Sequence, residues 1–143
     1  YLHKQSRQWA AYGSLRVDYT DGLTEDRQLT LGGASGLRGY DLNYQVGDRS
    51  VVFNLEQRYY SDWHPFRLLQ VGLVAFVDVG RAWFEGEDNG PNGGVLANAG
   101  IGIRLNSSRA EKSSVVHIDL AFPFVKDDEV SSSQILLTIK NRF

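Results

Sequence analysis

About six stretches of this chain alternate apolar and polar residues with a period of two. That period restricts them to strands with one apolar and one polar face, because successive side chains on a strand point to opposite sides. Trp9, Ala11, Gly13, Leu15, Val17 and Tyr19 alternate with a set that includes Tyr12, Ser14, Arg16 and Asp18. Val51, Phe53, Leu55, Gln57 and Tyr59 oppose Val52, Asn54, Glu56 and Arg58. Val71, Leu73, Ala75, Val77 and Val79 oppose Gly72, Val74, Phe76, Asp78 and Gly80. The pattern returns in Val95 to Leu105, against Asn98, Gly100, Gly102 and Arg104, and in Val116 to Phe122, against His117, Asp119 and Ala121. Ile135, Leu137 and Ile139 carry it to the end of the chain, at Phe143.

These segments supply about 9–11 alternating residues each, the length a strand tilted by about 45° needs to cross a bilayer core. Their connections alternate between long (20 to 49, 85 to 94, 125 to 131) and shorter (61 to 67, 106 to 112), as external loops and periplasmic turns do. Aromatics gather at the inferred strand ends. Tyr59, Tyr60, Trp63 and Phe66 lie on the short-turn side; Tyr19, Trp83, Phe84, Phe122 and Phe124 lie on the long-loop side, giving two prospective interfacial girdles. The fold expected is all-β, an antiparallel transmembrane β-barrel. Alternation alone also admits a soluble β-sandwich with aromatic ends, although Asp78 among so many apolar neighbours needs a partner in such a core.

The mean hydropathy of −0.31 does not contradict a membrane protein, since a barrel wall averages its lipid-facing and lumen-facing residues. No run approaches the eighteen apolar residues of a transmembrane helix. A net charge of −2, with the positive residues scattered, provides no field for nucleic acid. The absence of Cys excludes disulfides and thiolate metal sites. His3, His64 and His117 have no metal-ligand spacing. The serines at 107–108, 113–114 and 131–133 read as turn residues, with no G-x-S-x-G elbow. Asp127-Asp128-Glu129 reads as a solvated loop tip. No catalytic residue, metal or cofactor is expected.

The long connection from Thr20 to Arg49 contains Gly32-Gly33-Ala34-Ser35-Gly36-Leu37-Arg38-Gly39-Tyr40. Glycines let the backbone turn sharply and pass close to other atoms, here presenting one Arg and one aromatic ring. The stretch lacks the Lys-Ser/Thr of a phosphate loop and the strand-to-helix setting of a dinucleotide site. Structureless loops of this length inside a compact architecture are usually functional.

This Gly-rich string, followed by Leu55-Glu56-Gln57-Arg58-Tyr59 and Phe76-Val77-Asp78-Val79-Gly80, resembles the outer-membrane assembly and two-partner-secretion barrel superfamily, whose members include BamA, TamA and FhaC-like transporters. The resemblance runs from about Trp9 to Phe143. It implies that the chain is the C-terminal segment of a larger barrel of about sixteen strands. Upstream strands, any POTRA domains and any secretory signal are then expected outside the chain. It also implies that the loop folds into the lumen, where Arg38 pairs with Asp78 and Glu56 on the inner wall. Gly33, Gly36, Leu37, Gly39 and Tyr40 complete the loop motif, and Phe76 and Gly80 flank Asp78. Independently, alternation puts Glu56 and Asp78 on the polar faces of neighbouring strands. The residues leave a second arrangement open: a solvated Arg38, with Asp78 paired to Arg58 or Arg104.

The final segment, with Ile135, Leu137, Ile139 and Phe143 on one face, resembles the C-terminal β-signal of outer-membrane proteins, an edge recognised by strand addition. Any amphipathic last strand that ends in Phe offers the same pattern. The implied function is insertion or translocation of proteins at the bacterial outer membrane, without bond chemistry. Secretion of one dedicated exoprotein and a barrel anchor for a patatin-like lipolytic domain are the alternatives. The expected partners are outer-membrane lipid, a protein substrate (a nascent barrel or an exoprotein) and the barrel's own upstream strands. The chain's C-terminus is expected on the periplasmic side.

Overall fold

The computed structural model describes residues 2–4, 8–20, 28–62, 69–86, 94–107, 114–125 and 132–141. Among these residues nine strands form: β1 (Leu2–Lys4), β2 (Trp9–Tyr19), β3 (Leu29–Leu31), β4 (Gln45–Gly47), β5 (Arg49–Tyr60), β6 (Leu69–Trp83), β7 (Leu96–Ser107), β8 (Ser114–Pro123) and β9 (Gln134–Asn141). Seven make one antiparallel meander in the order β1-β2-β5-β6-β7-β8-β9, and β3 pairs separately with β4. The six alternating segments correspond to β2 and β5 to β9, with β1 added beside β2. β3 and β4 divide the long connection, which alternation alone left without elements. β6 runs on through Gly80–Trp83, pairing with Arg49–Val52. A backbone ladder needs no alternation where its strands project beyond an apolar slab.

Exposure follows the alternation in the sense opposite to that of a soluble protein. The apolar face is outermost: Leu15 is 67%, Ile101 61% and Ile135 77% exposed, and Phe53, Leu55, Leu73 and Ile103 share that surface. The polar face is covered, with Glu56, Asp78, Asn98, Arg104 and Asp119 all buried. A soluble sandwich buries its apolar faces against each other and rarely leaves so large a continuous patch in water. A wall between lipid and a polar interior does the reverse.

The aromatic rows set the height of that wall. Trp9 lies opposite Tyr59, their rings 4.9 Å apart, at one end of β2 and β5. Tyr19, Arg49 and Trp83 align at the other end. The ten steps from Trp9 to Tyr19 span about 34 Å along an antiparallel strand, or about 24 Å at a tilt of about 45°, close to the apolar band of an outer-membrane barrel. Trp63 and Phe66 lie outside the described residues.

The segment between β3 and β4 packs on the polar face. Leu31, Leu37 and Tyr40 close a buried cluster with Val52, Ala82 and Leu96 of the sheet, and Tyr44 packs against it. Burying a side chain such as Leu37 contributes roughly 1.5–3 kcal/mol. The sheet curves around this insertion, so residues of β2 and β9 line opposite sides of one polar cavity of about 230 Å³ beside it.

Candidate functional site

Three strands bring the wall residues together. In register, Asn54 of β5, Asp78 of β6 and Asn98 of β7 form one row across the sheet, and Glu56, Phe76 and Gly100 form the next row on the same face. A Cβ at Gly100 would lie 2.5 Å from Phe76 Cζ, so glycine there leaves the room in which the ring lies down.

The loop reaches this wall through Gly36 to Tyr40. Gly36 adopts φ 125°, a conformation that L side chains rarely take, and an added Cβ would press on Val52 at 2.9 Å. Gly39 passes so close to the wall that its Cβ would meet Asn98 Cβ at 2.6 Å. Leu37 is fully buried above Gly80, whose missing side chain admits it. The Tyr40 hydroxyl lies 2.9 Å from Ala97 O and 3.1 Å from Val125 O, and accepts from Ala97 N at 3.2 Å. Gly33 starts a short 3-10 turn, Gly33–Ser35, and its N–H donates to Tyr40 O at 2.8 Å, closing the loop on itself.

These anchors aim Arg38 at three carboxylates. Its Nε and Nη2 donate to Asp78 Oδ2 and Oδ1 at 2.9 and 2.7 Å, a two-point fork, while Nη1 donates to Glu56 Oε1 at 2.7 Å. Asp119 Oδ2 of β8 lies 3.6 Å from the same Nη1. The guanidinium stacks over Phe76, its central carbon 3.5 Å from the ring centroid. Burial opposes the charge on Arg38, but hydrogen bonding and charge from Asp78, joined by Glu56 and Asp119, outweigh it and raise the pKa above the ordinary guanidinium value.

Two further wall cations are engaged with the other two carboxylates. Arg58 donates to Glu56 Oε2 at 2.8 Å, and Arg104 pairs with Asp119. Asp78 is fully buried and, among the described residues, receives only neutral donors from the wall, Asn54 Nδ2 at 2.8 Å and Asn98 Nδ2 at 3.0 Å. Asn54 also donates to Gly36 O at 2.7 Å, tying loop to wall a second time. The alternative pairing of Asp78 with Arg58 or Arg104 is therefore not the arrangement adopted.

Asn54, Asn98 and Asp119 were recognisable from sequence only as polar-face residues. Knowing that two of them flank Asp78 requires the register. Ile135, Leu137 and Ile139 lie exposed on the outer face of β9, and Phe143 lies outside the described residues. Asp127, Asp128 and Glu129 lie outside them as well. No group of three or more potential metal ligands occurs among the described residues.

A family model described as haemolysin secretion/activation protein ShlB/FhaC/HecB matches residues 1–105. The chain belongs to the ShlB/FhaC/HecB family. At family level it is an outer-membrane β-barrel transporter, not an enzyme. The ShlB/FhaC/HecB match spans β1 to Leu105 of β7 and so takes in the loop, Glu56 and Asp78, while Asp119 and β9 lie beyond it. No curated protein and no solved structure matches the chain.

Proposed function

We propose that this chain is wall and gate of a barrel that secretes a dedicated exoprotein across the bacterial outer membrane, with the segment from Leu31 to Tyr44 as a displaceable plug. The observation that carries the reading is the seating of Arg38 on Asp78 and Glu56 in a chain of the secretion/activation family. A plug must be held when idle and must leave without unfolding the wall. Ion pairs and hydrogen bonds beside a polar cavity suit both demands, because water and other polar groups replace them when the loop moves. The apolar contacts of Leu37 and Tyr40 add the holding energy.

In this reading the apolar face meets lipid and the polar face lines the lumen. The connection bearing Arg38 joins the Tyr19 end of β2 to the Arg49 end of β5, and an external position for that end is supported by the rule that the long loops of outer-membrane barrels face outward. Asn141 of β9 pairs with Ser114 at the opposite end, which supports a periplasmic C-terminus. Upstream strands complete the barrel, and Ile135, Leu137 and Ile139 with Phe143 serve as its targeting edge. General assembly of outer-membrane proteins, the broader reading of the motif, has less support because the family match is to secretion/activation proteins.

The test is to delete the full-length gene and measure two quantities: exoprotein in the medium and barrel proteins in the outer membrane. Loss of the exoprotein with unchanged barrel levels is expected. A general fall in outer-membrane protein with secretion intact sinks the reading in favour of assembly.

A further inference from the structure

The wall around Asp78 has the form of a binding site that the loop happens to fill. Of the three carboxylates facing Arg38, Glu56 has Arg58 and Asp119 has Arg104, both from the wall. Asp78 has two amides and, among the described residues, no cation except Arg38 within ion-pairing distance. If the loop moves away, the first two carboxylates keep their partners. Asp78 alone is left without a cation.

What remains is shaped for one chemical group. Asn54 and Asn98 hold the Asp78 carboxylate from either side, leaving both oxygens directed at the position of the Arg38 fork. The Phe76 ring supplies a flat floor 3.5 Å beneath the guanidinium carbon, and Glu56 Oε1 closes the third side. A planar group with several N–H donors satisfies all of these at once. An ammonium can neither fork across both Asp78 oxygens while reaching Glu56 nor stack as a plane. The approach is open as well: the 230 Å³ cavity reaches Arg38, Glu56 and Asp119, and Asp78 lies directly behind the guanidinium.

We propose that the row Asn54–Asp78–Asn98 over Phe76 is a guanidinium-binding site of the barrel wall, and that an arginine of the polypeptide in transit occupies it once Arg38 has left. The proposal rests on the secretion reading for its source of arginine. Exchange of one guanidinium for another keeps Asp78 neutralised throughout passage, and it delays return of the plug until the last such arginine has gone by.

The experiment uses the full-length protein in detergent and follows thermal unfolding, since a ligand that binds only the folded state raises Tm. Arg38→Ala and, should that variant fold poorly, Arg38→Gln empty the site. The probes are a short Gly/Ser peptide with one central arginine, the same peptide with lysine, and guanidinium chloride at low millimolar concentration with sodium chloride as the ionic-strength control. The arginine peptide is expected to bind the emptied variants at least about tenfold more tightly than the lysine peptide, to act weakly on wild type, and to lose its effect when Asp78→Asn is added. Equal affinity for the two peptides, or binding that survives Asp78→Asn, overturns the site. Stabilisation by guanidinium chloride without any by the arginine peptide overturns the transit-chain source, showing a seat that only Arg38 uses. Because none of these readouts passes through secretion, a failed secretion assay and a failed binding assay are told apart.

Discussion

Arg38 and Asp78 stand 40 residues apart in sequence and meet through two parallel hydrogen bonds, of 2.9 and 2.7 Å, on the inner side of a sheet whose outer side is apolar. The Asp78 side chain is fully buried and that of Arg38 only 11% exposed, so truncating the arginine leaves a charge behind. Breaking such a buried pair costs about 3–5 kcal/mol, less where water enters, and the adjoining cavity argues for the lower end. Arg38→Ala is expected to free the loop for limited proteolysis while the folded wall survives. Arg38→Lys should recover only part of the protection, because a point charge cannot fork across both carboxylate oxygens. Full protection in Arg38→Lys would show that charge alone holds the loop.

The two asparagines beside Asp78 should be unequal. Asn54 donates to both Asp78 and Gly36 O, whereas Asn98 donates only to Asp78 and leaves its Oδ1 without a partner among the described residues. A hydrogen bond to a charged group is worth about 1.5–3 kcal/mol. Asn54→Ala should therefore loosen the loop more than Asn98→Ala, read as the rate of loop cleavage in the two variants. The reverse order would show that the bridge to Gly36 contributes nothing.

What was legible in the sequence, and what was not, follows from the period of two. Alternation assigns a residue to a face, so Glu56 and Asp78 could be put on the polar side of adjacent strands. It does not set the register, because a slip by two residues preserves every face. The row Asn54–Asp78–Asn98 and the pairing of Arg104 with Asp119 were hidden for that reason. β3 and β4 were hidden because three residues are too few to display a period. For the 3-10 turn at Gly33–Ser35 only the glycines hinted at a tight path.

Gly39 gives a steric test of the same seat. Its Cβ would fall 2.6 Å from Asn98 Cβ, closer than real atoms come, so one backbone or the other must shift. Asn98 belongs to a strand paired on both sides, and the loop is therefore the part that moves. Gly39→Ala is expected to raise loop cleavage by about tenfold, equivalent to about 1.4 kcal/mol of lost seating, with no change in the thermal unfolding of the wall. Gly80→Ala, whose Cβ would meet Leu37 at 3.4 Å and Val51 O at 3.0 Å, should do less.

The two faces of the wall should answer a charge in opposite ways. Ile101 is 61% exposed on the apolar face, near the middle of β7. Thr138 of β9 lines the polar cavity. If the apolar face meets lipid, Ile101→Lys carries an ammonium into the hydrocarbon and costs about 2–4 kcal/mol near the midplane. Thr138→Lys leaves its charge in the polar cavity that Glu56 and Asp119 also line, at little cost. Urea unfolding of the full-length protein in lipid vesicles is expected to show a loss of that size for Ile101→Lys and almost none for Thr138→Lys. In a soluble sheet the exposed face would accept a lysine freely, so equal stability of Ile101→Lys and wild type would contradict a lipid-facing surface at that position.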